Sequence, residues 1–307
     1  MLIRDKFIPT IFDQKNLIYL SILAVLAAIA QVTLGGVVRV TGSGLGCPDW
    51  PLCYGQIVPP FQLDALIEYS HRLSGAILGV LVLLICLGNL IANNKRRLIV
   101  ALSAISLTLV VLAGLLGGIT VLTELSKWVR LVHLGIAEIL ITFLCAIVVF
   151  ALPTTKTIDF SNDKSIGQIV VGNLIITFIS ILFASYVVGS GYSSVCGTWP
   201  LCRGNYFPTD LPSFIHMVHR YSIILIFLGF ASLTYLSIVK LGLKNRFSGS
   251  LVFGLIILIV QVALGAIIIW TGFANEFKAL HLTTATLFWV ALSIVASIYC
   301  KEYIRYT

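Results

Sequence analysis

Long apolar runs separated by short polar interruptions dominate the chain. Charge-free stretches lie between Lys15 and Arg39, Arg72 and Lys95, and Arg97 and Glu124, while a fourth, from Arg130 to Lys156, is broken only by Glu138. Lys164 to Arg203 holds a fifth, and Arg220 to Lys240, Arg246 to Glu276 and Lys278 to Lys301 hold three more. A helix rises ~1.5 Å per residue, so ~20 apolar residues cross a hydrocarbon core ~30 Å thick. A membrane barrel strand would instead alternate apolar and polar over ~10 residues, whereas residues 77–87 are apolar throughout. The first run is too long, and too plainly followed by others, to read as a cleaved signal peptide. The pattern therefore predicts an all-α polytopic membrane protein with eight transmembrane helices.

Composition agrees. Charged residues make up 10% of the 307 and apolar ones 59%, with a mean hydropathy of +1.04, against ~25% charged in a soluble domain. That excludes a soluble enzyme or a nucleic-acid-binding module, despite a net charge of +8. The basic excess reads as topology. With the N-terminus inside, the inner segments hold Arg4, Lys6, Lys15, Lys95, Arg96, Arg97, Lys156, Lys164, Lys240, Lys244, Arg246, Lys301 and Arg305. The outer side keeps Arg39, Arg72, Lys127, Arg130, Arg203, Arg220 and Lys278, beside half of the acids. Both termini are expected in the cytoplasm, with the chain in the plasma membrane and a lipid bilayer as its surroundings.

The chain also repeats itself. Residues 47–55 read CPDWPLCYG and residues 196–204 read CGTWPLCRG, displaced by 149. His71-Arg72 returns as His219-Arg220 and His133-Leu134 as His281-Leu282, each displaced by 148, as are Gly117 with Gly265 and Thr123 with Thr271. Four helices per repeat is an even number, so both halves enter the membrane in the same sense and form two pseudo-symmetric four-helix bundles. The boundary falls in the polar stretch 153–165, which divides the chain into residues 1–156 and 157–307.

Four of the seven cysteines form two C-x5-C pairs in outer loops, Cys47 with Cys53 and Cys196 with Cys202. An outward loop is oxidising, so each pair is expected to form a disulfide that pins its loop; a redox-active role for the first pair stays open. Zinc sites carry C-x2-4-C with a second ligand pair, which is missing here. Cys86, Cys145 and Cys300 are expected to be inert packing residues.

Four of the five histidines open helices 2, 4, 6 and 8 near the outer face: His71, His133, His219 and His281, with 62 positions between partners in each half. Ionisable groups in a span are costly and point to function. Facing imidazoles in a four-helix bundle are a cofactor site, and heme iron accepts axial His in an apolar pocket. No C-x-x-C-H occurs, which argues against covalent c-type heme. One noncovalent heme per half is the economical reading, the two side by side at one depth.

The halves differ where chemistry is expected. Glu68, three residues before His71 on the same helical face, aligns with His216. Glu68 is a candidate proton acceptor or charge stabiliser, or an acid placed to suit a helix N-terminus. His216 reads as a surface or supporting residue. Arg72 and Arg220 are candidate contacts for heme propionates, or interface markers. Glu138 is expected to pair with a polar group such as Gln31, and Gly75, Gly79, Gly114, Gly117 and Gly265 to be close-packing positions.

These residues together resemble the heme A synthase family, membrane enzymes that convert heme O to heme A for cytochrome oxidases. The resemblance covers nearly the whole chain: eight helices in two similar halves, GSGLGCPDWPLCYG at residues 42–55, Glu68-x-x-His71-Arg72, and the three later histidines. A subset of the family likewise has Cys pairs in both loops. It implies that residues 1–156 hold substrate heme O between His71 and His133 with Glu68 beside it, and that residues 157–307 hold heme b on His219 and His281. The implied reaction oxidises a porphyrin methyl to a formyl group through two hydroxylations and loss of water. The electron donor, a quinol being one candidate, is not readable, and an association with heme O synthase rests on the resemblance alone. Two other readings stay open: a diheme b-type electron-transfer cytochrome, and a heme-handling protein without catalysis.

Overall fold

A computed structural model describes residues 13–92, 96–153, 158, 160 and 164–306. The eight expected helices are α1 (Gln14–Val40), α2 (Leu63–Ile91), α3 (Arg97–Leu122), α4 (Lys127–Ala151), α5 (Lys164–Gly189), α6 (Leu211–Leu241), α7 (Arg246–Trp270) and α8 (Asn275–Tyr306). Each is long and apolar enough to cross a membrane, which marks a multi-pass membrane protein. Among the described residues there is no strand, only isolated bridges from Cys53 to Gln56 and from Cys202 to Asn205. The proposed boundary at 156/157 lies outside the described residues, as do Arg4, Lys6, Lys95 and Lys156.

Charge-free leucine, isoleucine and valine runs set the helices, and short polar side chains set their ends. Asp13, Asp210 and Asn245 accept from the amides of Asn16, Ser213 and Ser248 at 2.7, 3.0 and 2.8 Å, meeting donors that a helix start leaves open. At the other ends, the hydroxyls of Thr41, Thr123 and Thr271 donate back to Val37, Ile119 and Ile267. The helices start earlier than the charge-free windows suggested. His71 and His219 lie more than two turns inside α2 and α6, because Glu68, Arg72 and Arg220 are helical and held by neighbours.

α1 packs on α2 and α4, and α3 on α2 and α4; α5 packs on α6 and α8, and α7 on α6 and α8. Three further contacts, α4 with α8, α1 with α8 and α4 with α5, join the two sets. α4 and α8 are central: half or more of their apolar windows is buried, 50% and 56%, against 22% for α3 and α7. On α2, Ile77, Val80 and Leu87 face outward, the surface a lipid solvent requires.

Polar pairs fix the register of α4 on α8. Thr286 donates to Glu138 Oε1 at 2.9 Å, Trp289 Nε1 donates to the Glu138 carbonyl at 2.7 Å, and Thr142 and Ser293 hydroxyls lie 3.0 Å apart. Glu138 thus pairs across to α8 rather than with Gln31, whose carbonyl oxygen instead meets Ser74. Glu138 and Thr286 are themselves separated by 148 positions, so residues that the repeat aligns touch each other. Removing the donor with Thr286→Val strands a fully buried carboxyl oxygen. We expect ~0.6–2 kcal/mol of destabilisation, read as a lower thermal midpoint of the full chain in detergent, with Thr286→Ser close to the parent.

Candidate functional site

The four histidines fall into two facing pairs. His219 and His281 line one cavity, so α6 faces α8 at this level, and His71 of α2 and His133 of α4 lie within electrostatic reach of each other. A backbone without Cβ makes room for three of the rings: a Cβ at Gly35, Gly117 or Gly265 would lie 3.1, 3.6 or 3.3 Å from Cε1 of His71, His133 or His281. Gly117 and Gly265 therefore accommodate imidazoles, whereas Gly75 meets the Gln31 amide and Gly79 and Gly114 face open space. Hydroxyls steady the backbone beside two of them. Ser74 donates to the His71 carbonyl at 3.0 Å and to Gln31, and Ser222 donates to the His219 carbonyl at 2.7 Å and lies 2.8 Å from Ser180 Oγ.

His219 and His281 line one cavity between α5, α6, α7 and α8, walled by apolar residues including Ile223, Leu258, Leu282 and Phe288. Gln261 Nε2 lies 3.2 Å from His281 Nε2, and the aligned position beside His133 is Ala113. The Nδ1 atoms of all four histidines are buried without a partner. Among the described residues no three His, Cys, Asp or Glu side chains converge as a metal site. Two imidazoles without a third protein donor, in an apolar pocket, suit a metal that brings its own equatorial ligands, as heme iron does. The residues present fit that group.

Both loop disulfides are formed, Cys47 to Cys53 and Cys196 to Cys202, with Cα atoms 4.7 and 4.8 Å apart. Cys86 and Cys145 are buried, but Cys300, expected inside, is exposed. In the first loop Arg72 Nη1 donates to the carbonyls of Asp49 and Leu52 at 2.7 and 2.8 Å, and Nη2 donates to that of Cys47 at 2.8 Å. Glu68, 4% exposed, takes the Cys47 amide on Oε2 at 2.8 Å and Arg72 on Oε1, with Nε at 3.1 Å. The carboxylate read as a proton acceptor is thus also the clasp that joins loop to helix. Arg220 likewise donates to the carbonyls of Thr198 and Pro200 at 2.9 and 2.8 Å. Both guanidiniums expected at propionates are turned into the disulfide loops, although Nη2 of Arg220 is buried and unpartnered. Where Glu68 has its counterpart, half-buried His216 presents an unpartnered Nδ1.

The two loops rest differently on the helices below. Trp50 lies on Gly118, where a Cβ would come within 2.7 Å of its ring; this roofs the level of His133. The aligned position is Ala266, and Trp199 instead meets Trp270 edge-on, with centroids 5.9 Å apart. Inside the first loop Asp49 accepts from the Tyr54 and Gly55 amides at 2.6 and 2.7 Å. In the second, Thr198 Oγ1 accepts from the Arg203 amide at 2.7 Å.

Sequence reasoning missed Gln261, Arg39 and Lys278, which all line the cavity of His219 and His281. The signal for Lys278 was present: it aligns with Arg130, and each lies three residues before a histidine.

Residues 18–293 match the sequence pattern of a family described as cytochrome oxidase assembly protein. Among curated relatives, the chain is 29% identical over 268 residues to the heme A synthase of Exiguobacterium sibiricum, covering 86% of this chain and 88% of that one. It is 28% identical to that of Bacillus licheniformis, covering 87% and 90%, and 27% identical to that of Geobacillus kaustophilus, covering 84% and 83%.

The loop contacts predict an acid-sensitive difference. The Gly55 amide first, then the Tyr54 amide, hold the Asp49 carboxyl below the usual carboxylate range. A depressed folded value means that this contribution is complete above the unfolded value, ~3.9, and fades as pH falls through the folded one. Acidification is expected to speed phosphine reduction of Cys47–Cys53 relative to Cys196–Cys202, whose loop uses the uncharged Thr198. Asp49→Ala should show the faster rate already at neutral pH. Equal rates at both disulfides, quantified by mass spectrometry across the titration, would contradict this.

Proposed function

The chain belongs to the cytochrome oxidase assembly protein family, and from that premise we propose that it is a heme A synthase, which oxidises the methyl substituent of heme O to the formyl group of heme A. The curated relatives carry that name over most of their length. The observation that carries the reading is the pair of facing imidazole pairs, each without a third protein donor. Residues 1–156 form the half that takes heme O, between His71 and His133. Residues 157–307 form the half that holds heme b, on His219 and His281. The histidine level and the disulfide loops lie on the outer face of the plasma membrane, with both termini in the cytoplasm.

Heme b supplies one-electron chemistry when bound; the protein supplies position and exclusion of water. α2 and α4 offer imidazoles in apolar surroundings at one depth, and the disulfide loop with Trp50 covers them. Glu68 is the acid on which conversion depends. Arg72 and the Cys47 amide fix its carboxylate three residues from His71, so it presents a fixed negative charge beside the substrate. In the second half His219 and His281 would hold heme b, and the Gln261 side-chain amide, 3.2 Å from His281 Nε2, would orient that imidazole. Electrons reach the chain from a donor such as a quinol, and heme O arrives from heme O synthase. The matched His pairs also suit a diheme electron-transfer cytochrome, but the replacement of Glu68 by His216 and of Gly118 by Ala266 disfavours two equivalent sites.

Two experiments test the assignment. Glu68→Gln is expected to cut heme A output about a hundredfold or more, with heme O or a hydroxylated product accumulating and the resident heme spectrum retained; unchanged heme A on acid extraction and mass analysis sinks the role. His219→Ala or His281→Ala should remove the stable heme b spectrum, whereas His71→Ala or His133→Ala should abolish conversion and largely keep it. The opposite pattern reverses the halves.

A further inference from the structure

The cavity of His219 and His281 has a cationic rim that the mechanism above leaves without a task. Arg39, near the end of α1, and Lys278, in the first turn of α8, both line it. The Arg39 guanidinium makes no hydrogen bond or ion pair to any described residue, and the charged group that acts on it is of like sign, Arg130. Lys278 has one neutral partner, the Asn275 side chain at 3.2 Å. Arg130, the repeat counterpart of Lys278, has a buried Nε with no partner. Partly buried cations drawn together without an anion repel each other, and nothing in the packing compensates. They make physical sense once an anion joins them.

The geometry points to Arg39 and Lys278 as the carboxylate anchor of a porphyrin held by His219 and His281. The inference rests on the reading of those histidines as heme ligands. Lys278 precedes His281 by three residues, one turn along α8 towards the disulfide end, so an iron at the imidazole and a carboxylate at the ammonium are reached from one helical face. A porphyrin carries its two carboxylates on one edge, and the cavity has apolar walls below and cations at one end only. Arg72 and Nη1 of Arg220 are committed to loop carbonyls, whereas the rim cations meet no carbonyl or carboxylate of the loops and are free to take the carboxylates. The arrangement is also unequal between the halves. The position aligned with Arg39 on α5 is Val188, which lines the same cavity. The second-half pocket is thus completed by a residue of the first half.

The test uses the full chain in detergent, loaded with iron protoporphyrin IX or with its dimethyl ester, and follows heme loss to excess apomyoglobin. Wild type should lose the ester about tenfold faster than the acid, equivalent to about 1.4 kcal/mol. Arg39→Gln and Lys278→Gln should each speed loss of the acid, Arg39→Lys should restore most of the retention, and the double variant should lose acid and ester alike. Equal loss of acid and ester from wild type, or a double variant that still discriminates as wild type does, overturns the anchor. So does unchanged heme loss in Arg39→Gln accompanied by loss of a co-purifying anionic lipid, which would make the rim a headgroup site. If His281→Ala retains heme as wild type does, the ligand assignment itself has failed, a result distinct from any of these.

Discussion

The contact of α4 with α8 is the constraint on which the rest of the structure depends. In hydrocarbon there is no hydrophobic drive between helices, so association relies on close packing and a few polar pairs. Here those pairs are Glu138 with Thr286, the Glu138 carbonyl with Trp289, and Thr142 with Ser293. They forbid sliding, because a shift of one turn would leave a buried carboxyl and an indole N–H unmet. Each of the two helices also carries one histidine of a facing pair and, three residues earlier, one base. Fixing their register therefore sets both imidazole levels at one depth.

Above that level the two disulfide loops are built alike and coupled to the bundle differently. The first is clasped by a carboxylate and a guanidinium on consecutive turns of α2 and closes on a glycine of α3. The second is held by a guanidinium and by the Tyr221 hydroxyl on the Tyr206 carbonyl, without a carboxylate, and its tryptophan rests on another tryptophan. Buried hydrogen-bonded charge is expensive to disturb, so the first loop is the more firmly placed cover. That difference suits the proposed division between a substrate half and a cofactor half.

Much of this was legible in the sequence. Charge-free runs specified eight helices because an apolar run of that length satisfies its backbone in hydrocarbon only as a helix, and Trp, Cys and His in register exposed the repeat. Helix starts were misplaced because Arg72 and Arg220 bound the apolar runs and Glu68 was set at a helix start, whereas all three lie inside a helix and are met by loop groups. Their hydrogen-bond partners lie about 20 positions away, across a loop path that periodicity does not specify. The same blindness left the loop carbonyls that Arg72 and Arg220 meet unread and overlooked Arg39. A charge at the end of an apolar run reads as an interface marker until its neighbours from α4 and α8 are known.

The reach of α1 into the last helices has a consequence for biogenesis. Thr283 donates to Thr33, 250 positions earlier, and Arg39 lines a cavity whose other walls, Leu134 of α4 apart, belong to α5–α8. At ~5–20 residues per second, the first helix is threaded into the bilayer on the order of ten seconds before its final neighbours exist. During that interval Arg39 has no protein wall to meet and depends on the headgroup zone for solvation. The cavity is sealed only when the last helix arrives, so a ligand can be enclosed there only after synthesis of the chain and not during it.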